Sequence, residues 1–237
     1  MHLAEGMLPF GQAIAWSALA APTVLWSLRG EQRDTPSSSV IMAGATSLLF
    51  AATLLPLPVP VMGATSHICL TPVLALIIGV RRIVWPTFFV LLLQAIFFAH
   101  GGLTTLGVNT MTLGLLGPLV TVGLWALFQR IGADGAFGLA LACGLGGLSV
   151  YVADACVLAV ALADVAAPTT TFGAVVLGFA PVQVPLAVLE AVASVGIVRL
   201  LANRRPELLP DALQALRTIP VSKASIMALL LVFCLSG

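Results

Sequence analysis

The sequence predicts an all-α polytopic membrane protein with seven transmembrane helices and an extracellular or periplasmic amino terminus. Of its 237 residues, 60% are hydrophobic and only 8% are charged, whereas about a quarter are charged in an average soluble domain. So few charges cannot cover the surface of a water-soluble fold, so the chain is predicted to lie in a membrane. The net charge of +1 gives no indication of a nucleic-acid partner.

The predicted membrane spans are stretches of about 17–25 mainly apolar residues between polar segments. They lie near residues 8–28, 39–62, 66–80, 84–100, 109–129, 136–163 and 172–200, and the second and sixth include some loop. We divide the chain into a membrane domain, residues 1–209, and a tail, residues 210–237. The apolar run of the tail, residues 225–235, is short for a full span. An incomplete helix, an interfacial segment and a pairing element all remain open for it.

The basic residues set the predicted orientation of these spans. With the amino terminus outside, the basic clusters at the helix ends all fall on the cytoplasmic side: Arg29 and Arg33, Arg81 and Arg82, Arg130, and Arg199 with Arg204 and Arg205. This distribution agrees with the positive-inside rule. Segments 1–7, 60–67, 100–108 and 164–171 then lie outside, and they contain the three histidines. A cation entrance should be poor in Lys and Arg, which would repel the ion.

Missing motifs narrow the chemistry of the chain. There is no G-x-x-x-x-G-K-[ST] and the only lysine is Lys223, so the chain is not expected to hydrolyse ATP through a P-loop. Signatures of metalloproteases (H-E-x-x-H) and of serine hydrolases (G-x-S-x-G) are also missing. The cysteines lie far apart in apolar runs, which indicates buried packing residues rather than disulfides or a CxxC site: Cys69, Cys143, Cys156 and Cys234.

The start of the chain carries the strongest chemical signal. No signal peptide is expected, and the bulk of His2 should prevent removal of Met1. The α-amine of Met1, the deprotonated amide nitrogen of His2 and the His2 imidazole can then form two fused chelate rings around a divalent metal. A fourth nitrogen would complete a square-planar site, which suits Ni(II) or Cu(II) and can accept low-spin Co(II). His67 is the candidate for it. The alternative is a helix-capping or hydrogen-bonded histidine, with Ser66 beside it as a candidate N-cap.

Further polar residues in or near the predicted spans are supporting candidates. His100 opens the turn HGGLTTLGVN, whose glycines permit close backbone approach. Like Ser66, it is a candidate for supporting the metal ligands from outside or for gating the site, and an ordinary interfacial residue is the alternative for His100. Thr105 and Asn109 are predicted to donate or accept hydrogen bonds at the ligand imidazoles. Asp154 and Glu190 are carboxylates within predicted spans, where burial is costly and a functional role is expected. The alternative is that neighbouring polar groups satisfy them.

Four stretches of the sequence carry a family resemblance, in this order: MHLAEGMLP, GATSHICLTPVLALIIG, QAIFFAHGGLTTLGVNTMTLGLLGP and APVQVPLAVLEA. They resemble the CbiM/NikM family, the substrate-capture components of cobalt and nickel energy-coupling-factor transporters of the bacterial cell membrane. The resemblance runs from Met1 to about Leu209. It implies a six-helix bundle preceded by one extra amino-terminal helix, which inserts residues 1 and 2 into the core. It also implies a metal site made by Met1, His2 and His67.

The resemblance further implies that Co²⁺ or Ni²⁺ is a transported ligand and that the protein needs no cofactor. The implied partners are a transmembrane coupling subunit, P-loop ATPase subunits and a small accessory membrane subunit. We therefore predict the capture subunit of an ATP-driven importer, and we favour cobalt over nickel. The first alternative is a self-sufficient permease or channel for the same ions. The second is a membrane enzyme with a histidine-bound metal, and the lack of acid–base groups in the outer loops argues against it.

Overall fold

A computed structural model describes residues 3–31, 36–54, 57–59 and 64–218, most of which are helical. The α-helices are α1 (Phe10–Glu31), α2 (Pro36–Thr53), α3 (Thr71–Ile78), α4 (Val80–Phe97), α5 (Leu106–Asn109), α6 (Gly117–Arg130), α7 (Ala136–Ala161), α8 (Pro168–Arg204) and α9 (Asp211–Gln214). A π-helical segment, Thr110–Leu116, joins α5 to α6, and 3₁₀ turns cover Pro206–Leu208 and Ala215–Thr218. Strands β1 (Leu57–Val59) and β2 (Ala64–Ser66) form an antiparallel pair.

Within the described ranges, four helical stretches are long and apolar enough to cross a membrane: residues 80–97, 106–130, 136–161 and 168–204. Helix α2 contributes a shorter apolar segment, residues 39–53. These stretches confirm a mainly helical, multi-pass membrane protein. The count of seven spans and the side on which the amino terminus lies stay predictions.

The segment around residue 67 differs from the predicted helix 66–80. Strand β2 ends at Ser66, and α3 begins only at Thr71, after Leu70 in the left-handed conformation at φ 53°. The predicted span 39–62 includes non-helical chain, as expected, because α2 ends at Thr53 and β1 begins at Leu57. The antiparallel pair of strands interrupts the predicted all-α pattern. It was not predicted because hydropathy marks an apolar segment without distinguishing a buried strand or turn from a helix.

Helix α1 packs along α4 and α5 and is tied to the bundle near its carboxyl end. A Cβ on Gly107 would lie 2.6 Å from the backbone nitrogen of Ser17, so glycine permits the close approach of α5 to α1. Near the end of α1, the Arg81 Nε donates to the Trp26 carbonyl at 2.9 Å, and its guanidinium lies 5.4 Å from the indole centroid. The Ser27 hydroxyl donates to the Arg81 carbonyl at 2.6 Å. These contacts hold α1 against α4.

The small residues of α7 let it pack closely against α6. Ala142 is buried, and a Cβ on Gly146 would lie 1.8 Å from the Thr121 Oγ1 and 3.1 Å from the Gly117 carbonyl oxygen. Only a residue without a side chain fits at this helix crossing. A stripe of small residues therefore serves packing inside the bundle, as is common between membrane helices.

The first part of the tail packs back against the bundle. Leu213 and Leu216 of the tail, together with Leu209 just before it, are buried in the same apolar cluster as Val198 and Ala202 of α8. The apolar run 225–235 lies outside the described residues. The division of the chain at residue 209 stays a prediction.

Candidate functional site

The first described residue, Leu3, lies inside the bundle and not at its surface. Its exposed fraction is 1%, and its side chain packs with Val108 of α5 and with Tyr151 and Ala155 of α7. The predicted ligands Met1 and His2 lie outside the described residues.

Two side chains of α5 and the turn before it hold the backbone of Leu3. The Leu3 N–H donates to the Asn109 Oδ1 at 2.8 Å, and the Asn109 Nδ2 donates to the Leu3 carbonyl at 2.9 Å. The Thr105 hydroxyl donates to the same carbonyl at 2.8 Å and accepts from the Asn109 Nδ2 at 3.2 Å. In the described structure both groups bond to the backbone of residue 3, and their hydrogen bonds to ligand imidazoles stay a prediction. We call these three residues the Leu3 clamp.

A second set of contacts holds the chain just after Leu3. The Glu5 N–H donates to the Gly101 carbonyl at 3.1 Å, and the Thr104 hydroxyl donates to the Glu5 carboxylate at 2.6 Å. This hydrogen bond lowers the pKa of Glu5. Gly101 has a φ of 81°, and a Cβ on Gly102 would lie 2.6 Å from the Glu5 Cα. The glycines of the turn thus permit the close backbone approach that was predicted, and the partner is the amino-terminal segment of the same chain.

The structure brings His67 and His100 together. Their ring centroids are 5.5 Å apart, with the rings inclined at 62°. His67 is 1% exposed, and its Nδ1 lies 3.2 Å from the Ile68 carbonyl oxygen. Burial lowers the pKa of His100, which favours the neutral imidazole that metals require. The residue after His100, Gly101, accepts a hydrogen bond from the Glu5 N–H. The two histidine rings therefore lie next to the amino-terminal segment.

Helix α8 reaches the segment that carries His67 through two polar side chains. The Gln183 Nε2 donates to the Ser66 Oγ, and the Glu190 Oε1 accepts from the Leu70 N–H at 2.9 Å. No helix starts at Ser66 in the described structure, so the proposed capping role of Ser66 is wrong. Glu190 is satisfied by backbone, which is one of the two alternatives left open for it.

Asp154 is not joined to these contacts. It is fully buried in α7, and neither carboxylate oxygen has a hydrogen-bond partner of ordinary geometry among the residues that the structure describes. The Thr112 hydroxyl, on the π-helical segment, is a polar neighbour. Asp154 therefore stays a candidate without an assigned role.

Two contributors to this region were not singled out as site residues from the sequence. Gln183 lies in a long apolar helix, where an amide is costly, and that cost is the signal that could have identified it. Thr104 gave no comparable signal, because a threonine in a glycine-rich turn is ordinary. Within residues 3–31, 36–54, 57–59 and 64–218, no three His, Cys, Asp or Glu side chains are placed to hold a metal ion together.

Cys69 and Cys143 are buried free thiols, as predicted. Cys156 is exposed on α7, so the prediction that it is a buried packing residue is wrong. Apolar composition placed Cys156 in a helix, but it could not show on which side of that helix the residue lies. Cys234 lies outside the described residues.

Removal of the Asn109 side chain should release the amino-terminal segment while the bundle stays folded. Asn109→Ala deletes both amide contacts of the Leu3 clamp, each of which is a buried hydrogen bond whose loss costs about 1–3 kcal/mol. We expect faster hydrogen–deuterium exchange over residues 3–6 in the purified protein. Thr121→Ala, which removes a buried hydroxyl bonded within α6, is the control. Equal protection of residues 3–6 in Asn109→Ala and the unaltered protein would contradict the clamp.

Comparison with known proteins places this arrangement in a family. Residues 2–208 match the model of the CbiM family, described as "Cobalt uptake substrate-specific transmembrane region". The "Cobalt transport protein CbiM" of Sorangium cellulosum is 38% identical over 223 residues, which cover 93% of this chain and 99% of that protein. The protein of the same name from Geobacter sulfurreducens is 35% identical over 216 residues, 88% of this chain and 61% of the relative.

The fold is also that of solved transporter structures. The structure described as "Crystal Structure of an transition metal transporter" superimposes with a TM-score of 0.76 at 20% sequence identity, covering 85% of this chain and 92% of that one. A truncated transition metal transporter gives a TM-score of 0.75, also at 20% identity, over 84% of this chain and 96% of its own. At this identity the similarity concerns the fold alone.

Proposed function

The chain belongs to the CbiM family, and from that premise we propose that it is the substrate-binding membrane subunit of an ATP-driven importer of Co²⁺. Its relatives are named as transport proteins and not as enzymes. Cobalt is favoured over nickel because those relatives are named as cobalt transport proteins. In this proposal the ion is the transported substrate and not a resident cofactor.

The observation that carries the proposal is the burial of Leu3. The Leu3 N–H is held 2.8 Å from the Asn109 Oδ1 inside the bundle. Two residues span at most about 7 Å when fully extended. In this proposal the donors of the first two residues would form the site within that reach of the Leu3 clamp, whose Thr105 belongs to the turn that His100 opens. A frayed terminus would not need three buried side-chain hydrogen bonds at residue 3.

The donor set that we propose consists of four nitrogens. The Met1 amine, the His2 amide nitrogen and the His2 imidazole would occupy three positions of a plane, and the His67 imidazole the fourth. Such a planar nitrogen site suits late first-row divalent ions, including low-spin Co(II) and Ni(II). Neutral imidazole is required in each case. His100 would lie outside this plane and contact His67 edge to face.

The energy for import would come from partners. The sequence contains no Walker-type phosphate loop, so nucleotide hydrolysis would take place on separate ATPase subunits. We propose that these act through a transmembrane coupling subunit, with a small accessory membrane subunit completing the complex. This chain would then capture the ion on the outer side and release it on the inner side.

Uptake by the complete set of subunits should depend on ATP, whereas this chain alone should only bind the metal. The measurement is ⁵⁷Co²⁺ accumulation in proteoliposomes containing either this chain alone or the whole complex. We expect about one Co²⁺ retained per chain in both preparations and ATP-dependent accumulation only in the second. Accumulation down a gradient by the chain alone would favour the self-sufficient permease. ATP hydrolysis by the chain alone would also contradict the proposal.

A further inference from the structure

The proposed fourth ligand lies on backbone that has no regular secondary structure. Residues 67–70 connect β2 to α3, and Leu70 at their end has φ 53° and ψ −4°. The left-handed region is unfavourable for residues with a side chain, and in particular for bulky ones. Such a conformation persists only where surrounding contacts hold it. The contacts that hold residues 66–70 therefore determine where the His67 imidazole lies.

The holding contacts come from one face of α8. Gln183 and Glu190 are seven residues apart, which is close to two helical turns, so their side chains point the same way. Gln183 donates to the Ser66 Oγ just before His67, and Glu190 accepts from the Leu70 N–H at 2.9 Å just after it. Gln183 is 6% exposed and Glu190 4%. Each bond is thus formed away from water, where leaving one partner unpaired is costly.

Little free volume remains around these contacts. His67, Cys69, Gln183 and Glu190 line one cavity of about 10 Å³, which is room for roughly one water molecule. A Cβ on Gly147 of α7 would lie 2.7 Å from the Glu190 Oε2. Glycine at this position of α7 leaves room for the Glu190 carboxylate. Glu190 can therefore adopt the conformation in which it accepts the hydrogen bond from the Leu70 N–H.

We propose that Gln183 and Glu190 are positioning residues for the His67 imidazole, acting through the backbone of residues 66–70. This inference rests on the proposed metal-capture function. It assigns to Glu190 the role of hydrogen-bond acceptor and not that of metal ligand. Outer groups that orient a metal-binding histidine typically contribute 10–100-fold to metal affinity, and that is the scale of effect expected here.

The test compares Co²⁺ affinity across four substitutions in the full-length protein in detergent, with thermal unfolding measured alongside. Glu190→Ala and Gln183→Ala should each weaken Co²⁺ binding by about 10–100-fold. Glu190→Gln keeps a carbonyl oxygen that can accept from the Leu70 N–H, so its affinity should stay within about threefold of the unaltered protein, which is below the 10–100-fold loss expected for removal of an outer group. Ser27→Ala removes a buried hydroxyl at the α1–α4 contact and should leave Co²⁺ affinity unchanged.

Equal loss of affinity in Glu190→Gln and Glu190→Ala would overturn the inference, because the carboxylate charge and not the hydrogen bond would then matter. Unaltered affinity in both alanine variants would overturn it as well. If Glu190→Ala does not fold, Gln183→Ala and Glu190→Gln still decide. Failure of the proposed function is recognised separately, because the unaltered protein would then bind no Co²⁺ or His67→Ala would bind it equally well.

Discussion

Addition of one residue before Met1 is expected to abolish Co²⁺ capture while the protein still folds. The added peptide bond converts the proposed amine ligand into an amide and moves the new amine by one residue. The Leu3 clamp fixes the position of residue 3 through hydrogen bonds of 2.8 and 2.9 Å to Asn109, so the chain cannot slide to restore the register. Loss of a direct ligand should exceed the 10–100-fold effect of an outer group.

The measurement is Co²⁺ titration of protein whose amino terminus has been verified by mass spectrometry. The control carries the same added residue after Gly237, where it should have no effect on binding. Acetylation of the Met1 amine provides a second form of the test, because it adds no residue to the chain and removes only the free amine. Tight Co²⁺ binding by the extended or acetylated protein would show that the amine is not a ligand.

The helices could be predicted from the sequence because membrane spans are set by composition over long windows. Helix α7 begins at Ala136, as predicted, and ends at Ala161, close to the predicted end at residue 163. Over such a window, the requirement that backbone polar groups be satisfied internally leaves few alternatives to a helix. The position of such a helix therefore follows from the composition of its own segment and not from contacts with distant residues.

The turn after His67 could not be predicted, because residues more than a hundred positions away determine it. Leu70 is held by Glu190, and Ser66 by Gln183, and both partners lie on α8. Sequence periodicity reports the polarity of a segment and not the identity of its partners. For this reason the helix predicted for residues 66–80 starts before the observed first residue of α3, Thr71.

The candidate site could be predicted as a set of residue types but not as a set of contacts. The sequence indicates Asn109 and Thr105 as side chains able to hydrogen-bond ligand imidazoles. The sequence could not show that their partner is the backbone of Leu3, because an amide can satisfy many donors and acceptors equally well. The structure supplies this pairing, which fixes the backbone of residue 3 inside the bundle.

His67→Ala is expected to remove nearly all Co²⁺ binding and uptake, whereas His100→Ala should cause a much smaller loss. In the proposed site His67 supplies one of four planar nitrogens, and its loss opens the plane. His100 contacts the His67 ring at a centroid distance of 5.5 Å without being one of the four ligands. Its removal should therefore resemble the loss of an outer group, about 10-fold.

The two variants form a matched pair, since each removes one imidazole from the same end of the bundle. Co²⁺ affinity, ATP-dependent uptake by the assembled complex and thermal unfolding in detergent should be measured on both. A reversed order, with His100→Ala inactive and His67→Ala unaffected, would make His100 the fourth ligand. In that case His67 would act only as its packing partner, and the positioning role proposed for Gln183 and Glu190 at the His67 imidazole would fall with it.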